Sequence, residues 1–333
     1  MIQQEIINWF TSIKRSLPWR DNRTPYSVWV SEIMLQQTQV DTVVPYFNRW
    51  MSSFPDVVSL AQASEEEVMH HWAGLGYYRR ARMLHSASKK IVNENNSELP
   101  NNYNDWLKVL GVGSYTAAAI SSMCFEEPVP VVDGNVKRVV ARLNQIELPA
   151  NAKELHKLSE EWGRQKIEPL PEHKLSPGMF NEGMMELGAT ICTPRLPKCS
   201  ECPVSHFCTS FSKSVDPQLY PKPAIRKKWK ELALNYVWYA NEGKCALVER
   251  REGWNVGLWE PPTLDQWNGE VEEDFFEVKH TITNHKITAK VFLAKDGLVD
   301  DLLTDSSSVP LSGVAKKIIR LGKSYWEKHS HKD

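Results

Sequence analysis

The hydrophobic and polar positions of this chain follow two different periods. From the N-terminus to about Ser210, apolar residues recur at helical spacing, and prolines and glycines separate the runs. Beyond that point the period changes to the alternation typical of β-strands. The pattern therefore predicts an all-helical (all-α) part of about 210 residues, followed by an α+β domain. Helical runs are predicted to begin near Glu65, Arg79, Asn104, Ser114, Asn135 and Lys153.

One helix start is marked by Thr24 and Pro25, an N-cap residue followed by proline at the first helical position. It leads into YSVWVSEIMLQQTQV, where helical spacing places Glu32, Gln36 and Gln39 on one polar face. A solvated face would explain these residues without any further function. If the face instead lines a cleft, burial would raise the pKa of Glu32 and make it a general acid near neutral pH.

The C-terminal third is predicted to be a separate domain behind a linker. The stretch SKSVDPQLYPKPAIRKKWK is polar, basic and proline-containing, which is typical of linkers. LALNYVWYA and KCALVER flank a turn at 241–243 and predict a β-hairpin, and VKHTITNHKITAKVFLA predicts two strands around a turn at Asn284. A last helix is predicted from about Gly313. The resulting segments are 1–211, 212–229 and 230–333.

Composition places the chain among globular proteins. Of its 333 residues, 41% are hydrophobic and 24% are charged, with a net charge of −1, which excludes the disordered and fibrous classes. Basic residues concentrate in YYRRARMLHSASKK, NVKRVVAR and IRKKWK, so a nucleic-acid footprint and plain solvated helix faces both remain open. The N-terminus lacks a signal-peptide pattern and no apolar run could span a bilayer, so we expect a cytoplasmic location without membrane contact.

Four of the six cysteines lie in one short segment, CTPRLPKCSECPVSHFC, with the spacing C-x6-C-x2-C-x5-C. Cys124 and Cys245 are far from it and from each other, so the chain has no distributed disulfide framework, and the segment is predicted to bind metal. On spacing alone, four thiolates suit either zinc or an iron–sulfur cluster, and His206 could replace one cysteine as a zinc ligand.

The stretch VLGVGSYTAAAI places Gly111 and Gly113 directly before a predicted helix that Ser114 would cap. Backbone N–H groups turned outward at a helix N-terminus form a phosphate site. Glycine-rich helix connections are also common as plain turns, and this motif by itself does not separate the two interpretations.

Asp133, in PVPVVDGNVKRVVAR, follows an extended apolar run and precedes a helical one. That position explains it as an ordinary N-cap. The N–H groups and dipole of the helix would also keep the carboxylate ionised, which suits a residue that stabilises developing positive charge. With Glu32 in a contrasting environment, the two would form an acid-and-stabiliser pair.

Several motifs occur in an order that resembles a known enzyme family. They are LPWRDNRTPYSVWVSEIMLQQTQVDTVVPYFNRWM, GLGYYRRARMLH, GVGSYTAAA, VVDGNVKRVVARL, FNEGMMELGATICTP and the four cysteines. Together they resemble the MutY family of adenine DNA glycosylases, a branch of the helix-hairpin-helix glycosylases. The resemblance covers the helical part nearly end to end, is very specific there, and extends more weakly into the C-terminal domain.

The resemblance implies roles for the residues that match. Glu32 would protonate adenine so that it leaves as a neutral base, and Asp133 would stabilise the oxocarbenium ion of the sugar. Adenine would have to leave the base stack to reach them. The matches beside this pair are Tyr115 and Asn135, and those around the adenine pocket are Arg20 and Glu182.

The resemblance also implies the DNA contacts. The residues that would fill the space vacated in DNA and contact the opposing base are Gln37, Thr38, Leu75 and Tyr77. A helix-hairpin-helix near 107–122 would hold a phosphate through Gly111, Val112, Gly113 and Ser114. One [4Fe–4S] cluster would be held by Cys192, Cys199, Cys202 and Cys208, and would shape a basic loop for DNA rather than take part in the chemistry.

The implied activity is base-excision repair on double-stranded DNA, with a monomeric enzyme removing adenine opposite 8-oxoguanine and opposite guanine. Where Tyr115 stands, the endonuclease III branch has a lysine that attacks the sugar, so a monofunctional glycosylase is implied. Lys137 or another amine could still give slow incidental lyase activity. Two alternatives remain: a G·T mismatch thymine glycosylase of the same superfamily, and an iron–sulfur DNA-binding protein without catalysis. Glu32 and the C-terminal domain favour the adenine enzyme over the first alternative.

In the C-terminal domain, CALVERREGWNVGLWEPP resembles the start of the family's Nudix-like domain. The glutamate-rich motif of Nudix hydrolases is absent from the sequence, so we expect a reader of the lesion strand rather than a pyrophosphatase. The family's Phe-Ser-His loop corresponds to Ile282, Thr283 and Asn284, and a histidine, His285, follows one position later. The candidate lesion contacts are Thr283, Asn284 and His285. Leu110, where the family has proline, is a second departure.

Overall fold

The computed structural model describes residues 1–170, 174–225, 228–253, 256–282, 284–295 and 302–329. The chain divides into two compact units, Met1–Ile225 and Arg226–Asp333. The division falls inside the segment 212–229 that the sequence predicts to be a linker. Among the helices of the described ranges, none combines the length and the apolar character that crossing a membrane requires.

The first unit is helical, as the pattern of apolar residues predicts. Its α-helices are α1 Ile2–Ile13, α2 Pro18–Asp21, α3 Pro25–Leu35, α4 Val40–Ser53, α5 Val57–Gln62, α6 Glu65–Trp72, α7 Arg79–Glu94, α8 Tyr103–Trp106, α9 Ser114–Phe125, α10 Gly134–Asn144, α11 Lys153–Ile167, α12 Pro177–Thr190 and α13 Thr209–Ser212. The predicted helix starts at Glu65, Arg79, Ser114 and Lys153 are confirmed, and those near Asn104 and Asn135 are displaced by one residue.

Helix α3 begins where the sequence predicts and ends earlier than predicted. The Thr24 side chain accepts from Ser27 N at 3.0 Å, and the Ser27 hydroxyl accepts from Thr24 N at 2.9 Å, which satisfies two groups at the helix start. At the other end, Gln36 leaves the helical region and Gln37 has a φ of 58°. Gln36 and Gln39 therefore belong to a loop, and the predicted helical face that joins them to Glu32 is wrong.

Two large hydrophobic clusters, and a smaller one around Tyr220, lie in the described part of the first unit. One contains fully buried tryptophans on α3, α4, α6 and α8, with Trp29 and Trp106 in edge contact at 5.5 Å and Trp50 and Trp72 likewise at 5.5 Å. The other joins α1, α10 and α12. Aromatic pairs of this kind add to the stabilisation that burial of their large apolar surfaces provides. Of the helices that carry predicted catalytic residues, α3 and α9 pack in the first cluster and α10 packs in the second.

The predicted linker is packed against the first unit as far as Ile225. Tyr220 is buried, and Lys222 N donates to Leu148 O at 2.9 Å. Asn151 exchanges two hydrogen bonds with the backbone of Ile225, at 2.8 and 2.9 Å. Composition alone gives no sign of these contacts, because polar and proline-rich segments are ordinarily exposed. The proposed boundaries of 212 and 229 stay a prediction.

The second unit contains strands and a C-terminal helix. The strands are β1 Lys230–Trp238, β2 Ala240–Asn241, β3 Lys244–Ala246, β4 Val248–Glu249, β5 Trp259–Glu260, β6 Val271–Ile282, β7 His285–Ala294 and β8 Leu303–Thr304, and the helix is α14 Gly313–His329. The main sheet has the order β1-β7-β6. Strands β6 and β7 form the predicted antiparallel pair around Asn284, and α14 begins at the predicted Gly313.

The predicted partner of β1 is wrong. Only β2 and β3 form the hairpin around Glu242 and Gly243, whose φ angles are 48° and 81°. Strand β1 instead runs parallel to β7, so that Tyr236 and Trp238 face Val291 and Leu293 and are fully buried. Local alternation predicts a strand, whereas the choice of partner depends on the core that the paired strands share.

The crossing of α10 and α12 depends on Gly188, and we predict that Gly188→Ala is destabilising by about 1–3 kcal/mol. A Cβ at Gly188 would lie 2.6 Å from Asn135 Cβ and 3.1 Å from Asn135 Cα, which is too close without a shift of the helices. Urea unfolding followed by circular dichroism measures the effect. Gly134→Ala on α10 is the control, because a Cβ there meets nothing within 4 Å. Equal destabilisation by the two substitutions would contradict the prediction.

Candidate active site and cysteine loop

A cavity of about 240 Å³ lies in the first unit between α2, α3, α9, α10 and α12. The structure brings all six predicted catalytic and pocket residues, and the predicted DNA contact Thr38, to its wall. They are Arg20, Glu32, Thr38, Tyr115, Asp133, Asn135 and Glu182. These residues are up to 162 positions apart in sequence, so their convergence is a property of the fold. The cavity is the candidate active site.

Glu32 is a buried acid, and the solvated-face interpretation of its position is therefore wrong. It is 6% exposed, and within the described ranges its Oε2 has no hydrogen-bond partner. Burial raises the pKa of Glu32 to about 7; the Tyr115 hydroxyl lowers it by a smaller amount, and the charges of Asp133 and Glu182 raise it further. A carboxyl group with a pKa near 7 can both donate and accept a proton at neutral pH.

Asp133 is the N-cap of α10, as its sequence position predicts. Its Oδ1 accepts from Val136 N at 2.7 Å and its Oδ2 accepts from Asn135 Nδ2 at 3.0 Å. Burial raises the pKa of Asp133, and hydrogen bonds from Val136 and Asn135 oppose that rise because they stabilise the ionised form. Asp133 and Glu32 thus differ in one respect that matters for chemistry: the Asp133 carboxylate is hydrogen-bonded through both oxygens, whereas Glu32 Oε2 is not.

Tyr115 lies on α9 between the two acids. Burial and the charges of Glu32 and Asp133 raise the pKa of Tyr115 well above its ordinary value, so its hydroxyl stays protonated. The hydroxyl interacts with the Glu32 carboxyl and lowers its pKa, and it also donates to Met185 Sδ at 3.5 Å. Tyr115 therefore supplies a neutral polar group to the cavity wall.

A chain of hydrogen bonds connects Asp133 to the start of the cysteine segment. Asn135 holds Asp133 through its amide nitrogen and accepts from Arg138 Nη2 through its oxygen at 2.8 Å. The Arg138 guanidinium also donates to Gly188 O at 2.7 Å and to Cys192 O at 2.8 Å. Asn135 can thus keep only one amide orientation, and that orientation presents its nitrogen to the carboxylate. Asn135 and Arg138 thus link the position of the Asp133 side chain to the backbone carbonyl of Cys192.

A network of three arginines and two buried glutamates forms one wall of the cavity. Arg20 donates to Glu182 Oε1 at 3.0 Å and to Glu186 Oε2 at 3.1 Å. Arg23 donates to the other oxygen of Glu182 at 2.7 Å, and Arg15 donates to Glu186 Oε1 at 2.6 Å. Buried carboxylates persist as ions when they are paired in this way.

Sequence reasoning identified Arg20 and Glu182 but missed Arg15, Arg23 and Glu186. One signal was available for the third, because Glu182 and Glu186 are four residues apart and share a face of α12. No comparable pattern marks Arg15 and Arg23, which reach the wall from the loops on either side of α2.

The predicted DNA-contact residues lie in two loops. Gln37 and Thr38 belong to the loop 36–39 between α3 and α4, and Leu75 and Tyr77 belong to the loop 73–78 between α6 and α7. Thr38 reaches the cavity. Tyr77 is 58% exposed, whereas Leu75 is 6% exposed and packs in the tryptophan-rich cluster. The loops therefore present Tyr77 to solvent and hold Leu75 inside.

The glycine hairpin has the predicted turn with a different cap. Gly111 has a φ of 82°, and Val112 N donates to Val109 O at 3.1 Å. The N-cap of α9 is Gly113, without a side-chain hydrogen bond, and Ser114 is the first helical residue, so the predicted capping by Ser114 is wrong. Gly113 and Ser114 are exposed at this helix end. The first amides of α9 are thus open to an anion in solution.

The candidate lesion contacts lie in the second unit. Thr283 lies outside the described residues. Asn284 O accepts from Lys230 N at 2.9 Å, which joins the tip of the β6–β7 hairpin to the start of β1. His285 is the first residue of β7 and pairs in register with Ile282. Asn284 and His285 are both partly exposed at the hairpin tip.

The four clustered cysteines line one cavity, together with Arg142 and apolar side chains. None is in a disulfide. Burial raises the pKa of Cys202 to about 12 and also raises that of Cys199, with neighbouring thiols adding to both. Thiols in this arrangement become thiolates only with a cationic partner, as iron provides in a cluster. His206 does not line this cavity, and its Nε2 lies 3.2 Å from Glu5 Oε1.

Arg142 on α10 organises the start of the cysteine loop. It is 2% exposed and donates to the carbonyls of Cys192, Thr193 and Pro194, at 3.2, 2.7 and 3.1 Å. It also donates to Cys192 Sγ at 3.3 Å and to Tyr220 O at 3.0 Å. A planar guanidinium can satisfy this many acceptors, whereas a lysine ammonium cannot.

Comparisons with known proteins agree with this geometry. The model of the HhH-GPD superfamily of base excision DNA repair proteins matches residues 30–165, and the model of the iron–sulfur binding domain of endonuclease III matches residues 192–208. The match supports a [4Fe–4S] cluster over the zinc alternative, and the matched segment contains Cys192, Cys199, Cys202 and Cys208.

Curated relatives carry the name adenine DNA glycosylase. The one from Arabidopsis thaliana is 41% identical over 305 residues, which is 79% of this chain and 47% of that protein. The one from Buchnera aphidicola subsp. Baizongia pistaciae is 35% identical over 263 residues, 77% of this chain and 70% of that protein. The chain thus spans about half the length of the plant relative it matches. A solved thermostable thymine-DNA glycosylase has a TM-score of 0.56 and 27% identity, and covers 64% of this chain and 95% of its own.

Replacing Glu32 tests its burial. The stability of Glu32→Gln relative to the wild type is predicted to increase as pH rises. The folded pKa of about 7 lies above the ordinary value of 4.5, so the wild type loses stability as pH rises from 4.5 through 7. The advantage of Glu32→Gln in unfolding free energy is expected to grow by about 2 kcal/mol between pH 5 and pH 8. Urea titrations at both pH values measure it, with the exposed Glu66→Gln as control. An advantage that does not change with pH would contradict the assignment.

Replacing Arg142 tests its hold on the cysteine loop. Arg142→Lys keeps the positive charge and removes the planar guanidinium that binds several carbonyls. We therefore expect a chelator to remove iron from this variant roughly tenfold faster than from wild type. Iron release followed by visible absorbance measures this rate. Arg164→Lys, on an exposed face of α11, is the control. Equal rates for the two variants would show that Arg142 does not support the cluster loop.

Proposed function

We propose that this chain, which belongs to the adenine DNA glycosylase family, excises adenine from mispaired double-stranded DNA as a monofunctional base-excision enzyme. One observation carries the proposal: a buried carboxyl group, Glu32, with a pKa near 7 shares a cavity with the hydrogen-bonded carboxylate of Asp133. Two carboxyl groups in contrasting environments suit the cleavage of a glycosidic bond.

The proposed reaction divides the work between the two acids. Protonated Glu32 transfers its proton to a ring nitrogen of adenine, so that the base leaves neutral. The sugar becomes an oxocarbenium ion, which the Asp133 carboxylate stabilises by its charge or traps briefly through Oδ2. Ionised Glu32 then accepts a proton from the attacking water. Arg20 and Glu182, as the paired side chains of the cavity wall, would orient the flipped adenine.

The chemistry of the cavity wall supports a monofunctional enzyme. Strand cleavage by a glycosylase requires an amine that forms a Schiff base with the sugar. Tyr115 cannot form one, and of the residues that the structure describes, no lysine lines the cavity. Lys137, the candidate for incidental lyase activity, donates to Ala150 O at 3.2 Å. The product is therefore proposed to be an abasic site.

The second unit is proposed to be a Nudix-like reader of the base opposite adenine. Its strands β6 and β7 end at the hairpin tip that carries Asn284 and His285, beside Thr283 in sequence. Hydrogen-bonding groups at a partly exposed tip can contact a base edge. We propose that these three residues favour 8-oxoguanine over guanine opposite the excised adenine. The enzyme is proposed to act as a monomer, with the [4Fe–4S] cluster supporting the DNA-binding loop around Arg195 and Lys198.

Single-turnover excision assays test the proposed substrate. Duplexes with adenine opposite 8-oxoguanine, adenine opposite guanine, and thymine opposite guanine separate the adenine enzyme from a thymine glycosylase, to which the likeness of the solved structure points. We expect release of adenine from the first two and no release of thymine, with Glu32→Gln slower by about 100-fold or more. Release of thymine alone, or of no base, would contradict the proposal.

The pH dependence of the same assay tests the role of Glu32. The acid must be protonated to act, so the rate at saturating enzyme is expected to fall as pH rises above about 7, the pKa of Glu32, by up to about tenfold per pH unit. Glu186→Gln, which changes a paired acid of the same wall, is expected to keep this inflection. A rate that stays constant from pH 6 to pH 9 would exclude a titrating general acid.

A further inference from the structure

Arg80, the second residue of α7, joins the two loops that carry the predicted DNA contacts. Its Nη1 donates to Ile33 O at 2.7 Å and to Met34 O at 3.0 Å, two carbonyls of the last turn of α3. It also donates to Gln36 O at 2.7 Å, and Nη2 donates to Gly76 O at 3.1 Å. One guanidinium therefore binds the C-terminus of α3, the loop 36–39 and the loop 73–78.

Two of these carbonyls precede residues with a left-handed backbone. Gln37, directly after Gln36, has a φ of 58°, and Tyr77, directly after Gly76, has a φ of 51°. A left-handed conformation is unfavourable for side chains of this size and persists when surrounding contacts fix it. The carbonyl of one residue and the N–H of the next lie in the same peptide plane, so a hydrogen bond that fixes the carbonyl also restricts φ of the next residue. Arg80 thus binds both peptide planes that determine where Gln37 and Tyr77 point.

The two loops depend on Arg80 to different extents. Gly76 O also accepts from the Trp72 indole at 3.0 Å, so loop 73–78 has a second anchor. Gln36 O has in addition only a long contact of 3.4 Å from the Thr38 hydroxyl, among the described residues. The guanidinium further lies 5.3 Å from the ring centroids of Trp72 and of Tyr77. Loss of the Arg80 guanidinium should therefore increase the mobility of loop 36–39 more than that of loop 73–78.

We propose that Arg80 is a positioning residue that sets the selectivity for mispaired DNA by holding Gln37 and Tyr77 in their left-handed conformations. The inference rests on the proposed function, because it takes these two side chains to enter the space that a flipped adenine leaves. Arg80 does not line the candidate cavity, and its Nη1 and Nη2 donate to four protein carbonyls, while its Nε has no hydrogen-bond partner among the described residues. The same fork fixes the end of α3, three residues beyond Glu32.

A pair of adjacent conservative substitutions tests the proposal in the intact protein. Arg80→Lys keeps the positive charge and removes the guanidinium that binds both loops. Arg79→Lys makes the same change at an exposed neighbouring position. Hydrogen exchange of backbone amides measures the loops directly, and equilibrium binding measures the ratio of affinities for a duplex with adenine opposite 8-oxoguanine and for a fully paired duplex. The pH profile of single-turnover excision reports on Glu32.

For Arg80→Lys we expect faster exchange in loop 36–39, a smaller increase in loop 73–78, and a selectivity ratio at least about tenfold lower, with the inflection of the pH profile unchanged. Arg79→Lys should match wild type within about twofold. Equal loss of affinity for both duplexes would overturn the proposal, because it would make Arg80 a simple phosphate contact. So would unchanged exchange, or failure of Arg80→Lys to fold.

The exchange measurement separates this inference from the proposed function. If the wild type released no base from any duplex, the enzyme assignment would fail. The exchange rates of the two loops would still show whether Arg80 fixes them.

Discussion

The candidate active site depends on a buried carboxyl group, one oxygen of which has no hydrogen-bond partner in the part of the chain that the structure describes. Burial of Glu32 is unfavourable for its charged form, and the neighbouring acids Asp133 and Glu182 make ionisation harder still. Helix α3, which carries Glu32, is capped at its start by Thr24, and the carbonyl of Ile33 near its end accepts from Arg80. The result is an acid whose pKa of about 7 leaves it partly protonated at neutral pH, in the wall of a cavity of about 240 Å³.

The second acid is controlled by hydrogen bonds instead of by burial alone. Asp133 is held by the first amides of α10 and by Asn135, and the orientation of Asn135 is set by Arg138. Because Arg138 also binds the carbonyl of Cys192, the start of the cysteine loop and the carboxylate belong to one rigid arrangement. The backbone of Cys192 thus contributes to the geometry of the candidate active site through Arg138 and Asn135.

Local chemistry in the sequence predicts much of this structure. The Thr24–Pro25 start, the Asp133 cap, the α14 start and the β6–β7 hairpin follow from short motifs whose physical reasons act within a few residues. Apart from the cap of α9, which is Gly113 instead of Ser114, the main failures concern long-range effects. The pairing of β1 with β7 and the end of α3 at Leu35 are set by contacts with distant residues.

The residues that reach the site from elsewhere show the same limit. Arg15 and Arg23 act through carboxylates, and Arg80 through carbonyls at the end of α3, that are more than 40 positions away in sequence. No local pattern identifies the acceptors of such a side chain. The resemblance to a known family located Arg20 and Glu182, and the coordinates were needed to find the arginines and the second glutamate that surround them.

The most direct test of the central claim is the titration of Glu32 itself. Carbon-13 NMR of protein labelled at glutamate side-chain carboxyl carbons, compared between wild type and Glu32→Gln, assigns the resonance of this one group. We expect a carboxyl that titrates near pH 7 in the wild type and is missing from the variant. A Glu32 resonance that titrates near the ordinary value of 4.5 would contradict the claim that the fold holds a protonated acid in the cavity.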